Sequence, residues 1–322
     1  MSDWQPTAPR EHLKARAATL AAVRAFFAAR DVLEVETPLL SSAMNSDPNI
    51  ESIAATQMGR TYYLNTSPEF PMKRLLAAGY GAIFQLCKVF RAGESGQRHN
   101  PEFTMLEWYR PDFDEHAMMD EVHALLSELF ATLSAEPLPD LQRQTLSYRA
   151  AFQRYAGFDP HEIALEDLQV RSRAQLGWHS DVRTEMLDLW LAQEVEPALP
   201  ADQLVFITEW PASMAALSRV EPDAQGHAVA RRFEAFYRGM EMANGYYELL
   251  DADEQQERFQ QDVRQRERQG QVIGPLDERL DHAMRAGLPS CAGVAMGFDR
   301  LMMVLLQERE IGRVISFTTD RA

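Results

Sequence analysis

The sequence predicts an α+β fold, a mostly antiparallel sheet flanked by helices. Apolar runs at 82–91 and 102–109 enclose a polar loop and read as a hairpin. Strand-like runs at 204–208, 232–238 and 240–244 read as neighbours in the same sheet, and helical repeats surround both sets.

Leu13, Ala17, Leu20, Val23 and Phe27 recur at helical spacing, so 11–30 is a long amphipathic helix that follows Pro9 and exits at Asp31. Residues 32–38 alternate briefly and stop at Pro38, as a short strand entering a turn does, and 45–48 continue the loop. Residues 61–65 are a strand candidate. Ser67, Pro68 and Glu69 open a helix with proline in its first turn, which continues from Met72 to Ala78 and stops at Gly79. The hairpin loop at 93–100 is unusually polar. From about 115 to 200 leucine-rich helical patterns alternate with proline breaks, a mostly helical middle with a structural role. Gly239 breaks the run between 232–238 and 240–244. Residues 251–269 read as a charged surface helix, and 275–285 as another, opened by Gly274-Pro275 and closed by Gly287. Small residues at 291–298 form a strand running into a helix from Asp299.

A chain of 322 residues, 46% hydrophobic and 25% charged, can bury a sizeable core, and one large catalytic domain is the first expectation. No stretch approaches the roughly 20 apolar residues of a membrane span, and the first ten residues hold no secretory signal, so a soluble cytoplasmic protein is expected. Cys87 and Cys291 lie far apart without CxxC spacing, which argues against a disulfide framework or a cysteine zinc site. With 48 acidic against 32 basic side chains the net charge is −16, so the molecule repels a phosphate backbone as a whole. A nucleotide needs only a few placed arginines and a metal, and is not excluded.

Neither a GxxxxGK[ST] loop nor a GxGxxG fingerprint occurs. Instead there are VETP at 35–38, FRAGESGQRHNPEF at 90–103, EWY at 107–109 and GVAMGFDRL at 293–301. In order and spacing these resemble motifs 1, 2 and 3 of the class II aminoacyl-tRNA synthetases. HNPEFTMLEWY at 99–109 and EMANGYYE at 241–248 are most similar to the lysine and ATP site of the lysyl-tRNA synthetase catalytic domain. The resemblance covers nearly the whole chain, 1–322, as a single catalytic domain. Motif 1 ends by Pro38, with only a helix and about ten residues before it, so no anticodon-binding domain is expected. That truncation resembles the paralogous branch that attaches (R)-β-lysine to a lysine of translation elongation factor P.

The resemblance implies ATP and Mg2+ as cofactors. It implies that Arg91 neutralises charge at the α-phosphorus, that Arg300 holds the γ-phosphate, and that Phe103 stacks on adenine. Ala92, Gly93, Arg98, His99, Asn100, Met242 and Gly297 would complete the ATP site, and Glu234 and Glu241 would carry magnesium. An odd separation puts those two acids on opposite faces of one straight strand, so their role requires the break at Gly239. For a lysine-like substrate, Glu69 would take the backbone-type amine and Glu107 and Glu248 the terminal ammonium, helped by Tyr109. Ser67, Pro68, Asn244, Tyr246 and Ala295 would line the pocket. Glu107 stands between Leu106 and Trp108, and a buried acid wants a cation.

Two positions depart from the family pattern: Gly93, followed by Glu94, where glutamate commonly reads adenine, and Ala295 where lysyl-tRNA synthetases have glycine. Taken singly the features have plainer readings. Arg91 and Arg300 would be solvated, Phe103 plain core, and the paired acids a solvated face. The implied activity is ATP-dependent aminoacyl-adenylate formation and transfer to elongation factor P, by a homodimer built on motif 1, with no stable binding of tRNA. A truncated synthetase using tRNA or a small amine, or a non-catalytic regulatory paralogue, are the alternatives.

Overall fold

The computed structural model describes residues 4–136, 138 and 140–322. The chain begins with α1 (Arg10–Ala28), β1 (Leu33–Glu34), β2 (Leu40–Ser41), β3 (Ala54–Gln57), β4 (Arg60–Leu64), α2 (Glu69–Ala77), β5 (Ile83–Phe90) and β6 (Glu102–Pro111). Then come α3 (Glu115–Leu133), β7 (Arg143–Ser147), α4 (Tyr148–Tyr155), α5 (Leu165–Leu176), α6 (Arg183–Trp190), β8 (Leu204–Pro211) and β9 (Val220–Pro222). The last third holds β10 (Ala228–Tyr237), β11 (Met240–Tyr247), α7 (Ala252–Gln269), α8 (Glu278–Gly287), β12 (Cys291–Gly297) and α9 (Phe298–Leu305).

Among the described residues nine strands form one sheet in the order β1-β5-β6-β12-β11-β10-β8-β7, with β9 beside β10. The outer pairs β1–β5 and β7–β8 are parallel, and the ladders between them are antiparallel, as the sequence predicts. β2, β4 and β3 form a separate three-stranded sheet.

Strand alternation divides the two faces of the main sheet. On β6, Leu106 and Trp108 are fully buried in a core shared with α1, α3 and α9, where Phe27 stacks on Phe84 at 4.5 Å and meets Trp108 edge-on at 5.3 Å. Each such side chain contributes about 1.5–3 kcal/mol. The Trp108 indole N–H donates to Glu121 on α3 at 3.0 Å. The intervening residues Phe103, Met105, Glu107 and Tyr109 face a cavity on the opposite side. A second core, with Tyr148, Phe152, Trp190, Trp210 and Phe236, packs α4 and α6 onto β8 and β10.

Some boundaries differ from the sequence reading. The strand expected at 32–38 shrinks to Leu33–Glu34, because β1 is an edge strand that pairs only with β5 before the chain leaves toward Pro38. The helix expected from Pro275 starts at Glu278, where the Asp277 carboxylate caps the N–H groups of Arg279 and Leu280 at 2.9 and 3.2 Å. Pro275 instead gives its carbonyl to Met44 N–H at 2.9 Å. The helical middle also contains β7, and α3 belongs to the main core.

One buried cation fixes the loop at 45–51 that walls the cavity. Arg266 on α7, fully buried, donates to the carbonyls of Ser46 (2.9 Å), Asp47 (2.7 Å), Ile50 (2.6 Å) and Val272 (3.1 Å). Glu51 in turn accepts from Ala92 N–H at 2.9 Å, which ties this loop to the hairpin loop.

Candidate active site

The site is built by register. Gln85, Glu107, Ala295, Asn244 and Glu234 are successive cross-strand partners on β5, β6, β12, β11 and β10, so their side chains share one face. The next row runs Ile83, Tyr109, Gly293, Tyr246 and Arg232. Above them opens a cavity of about 730 Å³. Ser67, Glu69, Arg91, Arg98, His99, Asn100, Phe103, Glu107 and Tyr109 line it, together with Glu241, Met242, Asn244, Tyr246, Glu248, Ala295, Gly297 and Arg300. Pro68, Ala92, Gly93 and Glu234, also expected at the site, stand outside that lining. Pro68 precedes α2 as its N-cap, and the N–H of Ala92 is spent on the Glu51 carbonyl.

At one end the residues are cationic. Arg300 lies in the first turn of α9, next to Asp299, whose carboxylate accepts from Arg16 at 2.5 Å and from Thr104 N–H at 2.7 Å. Pinning Asp299 to α1 and β6 turns Arg300 into the cavity. There its guanidinium donates to the Glu241 carbonyl (2.9 Å) and carboxylate (3.1 Å) and to His99 Nε2 (2.7 Å). An arginine only donates, so His99 accepts at Nε2 and carries its proton on Nδ1. Burial, then Arg300, holds the His99 pKa below its ordinary value, which keeps the ring neutral. Arg91 lies 5.2 Å from the Phe103 ring centroid and 3.5 Å from Glu94. Arg98 donates to the Gly239 carbonyl at 2.8 Å. Asn100 lines the cavity but is also a clamp, giving its amide N–H to the Glu102 carbonyl at 2.6 Å and accepting from Thr319 N–H at 3.0 Å.

Glu234 and Glu241 stand on the two arms of the β10–β11 hairpin. Arg238 and Gly239 turn with φ of 52° and 66°, and the register shifts at Ala235/Phe236. The expected break is therefore present at Gly239, and the bulge adds to it. Burial pushes the Glu234 carboxyl up to about 8, against the pull of Arg232 and with the push of Glu241. Among the described residues no group of three His, Cys, Asp or Glu side chains is gathered to hold a metal. Two carboxylates, one of them deeply buried beside another acid, nevertheless fit a hard divalent ion that draws its remaining ligands from phosphates.

At the other end the residues are acidic. Glu107, 2% exposed, accepts from Ser67 Oγ and from the Tyr109 hydroxyl, both at 2.7 Å, and Ser67 Oγ accepts from Glu69 N–H at 3.0 Å. Burial, then Glu69, pushes the Glu107 carboxyl up to about 8. Glu248, 1% exposed, is also raised, to about 7, mainly by burial.

Sequence reasoning missed five contributors. Lys73 on α2 reaches Glu69 at 2.6 Å and Glu248 at 2.7 Å. Arg232 donates to the Asn244 side chain at 3.2 Å and to Glu234, and its two-residue spacing from Glu234 in one strand was a usable signal. α7 is not simply a surface helix, since Arg258, Phe259, Gln261, Asp262 and Gln265 line the cavity, as do Thr184 and Asp188 of α6. Gly293 is a glycine of necessity, because a Cβ there would fall 2.3 Å from the Tyr109 ring and 2.4 Å from Glu248 Oε1. At Gly297 a Cβ would meet only Arg300, at 3.6 Å.

The model of the class II tRNA synthetases (D, K and N) matches residues 2–321. The chain belongs to this family. It is 44% identical to the elongation factor P–(R)-β-lysine ligase of Klebsiella pneumoniae subsp. pneumoniae over 99% of this chain and 98% of that protein. The proteins of the same name from Salmonella paratyphi B and Avibacterium paragallinarum are 44% and 43% identical, with the same coverage.

Gly293→Ala is expected to weaken amino-acid binding by about 1–3 kcal/mol through overpacking at Tyr109 and Glu248, with ATP binding retained. Calorimetric titration of each ligand checks it, and unchanged amino-acid affinity would contradict the close approach.

Proposed function

We propose that this protein is an ATP-dependent ligase that activates (R)-β-lysine as its adenylate and transfers it to the ε-amine of a lysine of translation elongation factor P. The observation that carries this reading is the charge at the two ends of the cavity. At one end the carboxylates of Glu69, Glu107 and Glu248 face a single ammonium, that of Lys73, a formal deficit of two positive charges. At the other end stand Arg91 and Arg300. A substrate with two ammonium groups and a carboxylate to be joined to ATP matches both. The 44% identity to ligases of that name supports the choice of β-lysine and of the acceptor.

In this reading Glu107 and Glu248 hold the terminal ammonium, ordered by Tyr109 and Ser67, and Glu69 takes the second amine. Asn244 and Tyr246 complete the pocket, while the Ala295 methyl between Glu107 and Asn244 narrows it where the two lysine isomers differ. Arg91 draws the substrate carboxylate and the α-phosphate together, two anions that otherwise repel. Phe103 supplies a face for adenine, and Arg300 takes up phosphate charge in place of its contact with Glu241. Glu234 and Glu241 would hold Mg2+, which supplies charge neutralisation between the phosphates. The substrate carboxylate oxygen attacks the α-phosphorus and pyrophosphate leaves. The acceptor amine, deprotonated, then attacks the carbonyl, and AMP departs as the amide forms.

We read residues 1–322 as one catalytic domain working in the cytoplasm without stable tRNA binding. Among the described residues no helix is long and apolar enough to cross a membrane. Leu33, Leu39 and Leu40 are 51%, 38% and 45% exposed just after α1, and we assign them to a homodimer contact.

Incubating elongation factor P with the protein, ATP and each lysine isomer, then measuring intact mass, tests the whole reading; a gain of one lysyl group, larger with (R)-β-lysine, is expected. Pyrophosphate exchange into ATP needs only the amino acid, and Arg91→Ala or Arg300→Ala reduces it by about tenfold or more. Exchange that requires tRNA, or wild-type exchange in both variants, contradicts these assignments.

A further inference from the structure

Lys73 is 1% exposed and does not line the cavity, yet its ammonium lies between two of the three acids that do. Charged and titratable groups approach this cluster from α2, β6, β11 and β12, Tyr246 of β11 among them. Glu69 faces it from its own helix, Glu248 from the end of β11, Glu107 and Tyr109 stand beyond on β6, and the Cys291 thiol lies on β12. Arg219 spends its guanidinium on the Glu248 carbonyl at 2.9 Å and on Ser290 Oγ at 2.9 Å. We propose that Lys73 is a positioning residue of the substrate pocket: it fixes Glu69 and Glu248 and sets the pocket charge so that a substrate bearing two ammonium groups, and not one, completes it. The proposal rests on the function assigned above.

Burial alone would lower the lysine pKa, but Glu248 and Glu69 outweigh it and raise it, so the side chain stays charged. Without that charge, three carboxyls crowd one buried space and take up protons instead, and a neutral carboxyl holds an ammonium poorly. Lys73→Met is therefore expected to weaken β-lysine binding by about tenfold or more near pH 7, to recover part of the loss near pH 9, and to leave ATP binding unchanged. Lys73→Arg should restore binding in part. Should Lys73→Met fail to fold, Lys73→Gln, which keeps a hydrogen-bond donor without the charge, carries the test with the same expected loss of β-lysine binding and retained ATP binding. Wild-type affinity and pH profile in Lys73→Met, or parallel loss of ATP and amine binding, overturns the proposal. A wild type that binds no amine overturns the assigned function, and this proposal with it, in the same titration.

A second, independent observation is how few amines the protein has. The sequence contains three lysines, Lys14, Lys73 and Lys88, against 29 arginines. Lys14 pairs with Glu11 on the outside of α1, and Lys88 is the register partner of Thr104, on the sheet face away from the cavity. The described cavity wall instead carries Arg91, Arg98, Arg232, Arg258 and Arg300. Guanidinium groups stay protonated and do not attack acyl groups. We infer that the lysine-free wall protects the protein from its own adenylate, whose acylation of an ε-amine would form an amide, expel AMP and release a proton to solvent. Gln261→Lys and Gln265→Lys place an amine on the α7 wall. After incubation with ATP and β-lysine without acceptor, these variants should gain lysyl mass while the wild type does not. Pyrophosphate exchange without modification of either variant, or equal modification of the wild type, overturns the inference. Absence of exchange in the wild type overturns the activity on which it rests.

Discussion

The antiparallel register of β6, β12, β11 and β10 sets where the strand-borne groups of the site can stand. Glu107, Ala295, Asn244 and Glu234 are direct partners across these strands, so three strand spacings, roughly 14 Å, separate the acid assigned to the amine from the acid assigned to the metal. A slip of one residue on any of the four would turn that strand's members toward α1, α3 and α9. The helix side guards against this. Leu106 and Trp108 are buried in the main core, and their alternation with Phe103, Met105, Glu107 and Tyr109 leaves one acceptable pairing. Stability and site geometry are thus the same constraint seen from opposite faces of one sheet.

Burying the Glu107 and Glu248 carboxyls beside Glu69 costs more than the Lys73 ammonium offsets. Glu107 and Glu248 are both raised, and burial is the first cause in each case. In the proposed function the pocket would therefore meet a cationic substrate with unspent electrostatic attraction, which is large where water is excluded. At the opposite end the balance is kept by Arg300 on Glu241 and by Arg91 near Glu94, contacts that phosphate can replace. The same logic explains the glycine at 293. It gives up side-chain packing so that Tyr109 and Glu248 can approach each other across β12.

Much of this was legible in the sequence because it is local. The hairpin around 93–100, the small-residue strand before Asp299 and the Gly239 turn each announce themselves within a dozen residues, and they carry Arg91, Arg300 and the paired acids. What could not be read depends on distant partners. Lys73, one turn after Glu69, looks like a solvated helix lysine until β11 brings Glu248 against it. Arg266 looks like one more charge on α7 until the loop at 45–51 wraps its guanidinium. The cavity face of α7 has the same cause, since a polar helix over a polar site has no apolar stripe to mark its inner side.

The proposed function turns on an acid pocket short of two positive charges that a doubly cationic amine completes. Calorimetric titration of β-lysine near neutral pH, repeated in buffers of different ionisation enthalpy, measures it directly. The raised carboxyls bind protons in the free protein, and the arriving ammonium groups displace them. Binding should therefore release protons and strengthen as the pH rises through about 7 to 8. Proton uptake, or an enthalpy independent of buffer across that range, would contradict the account.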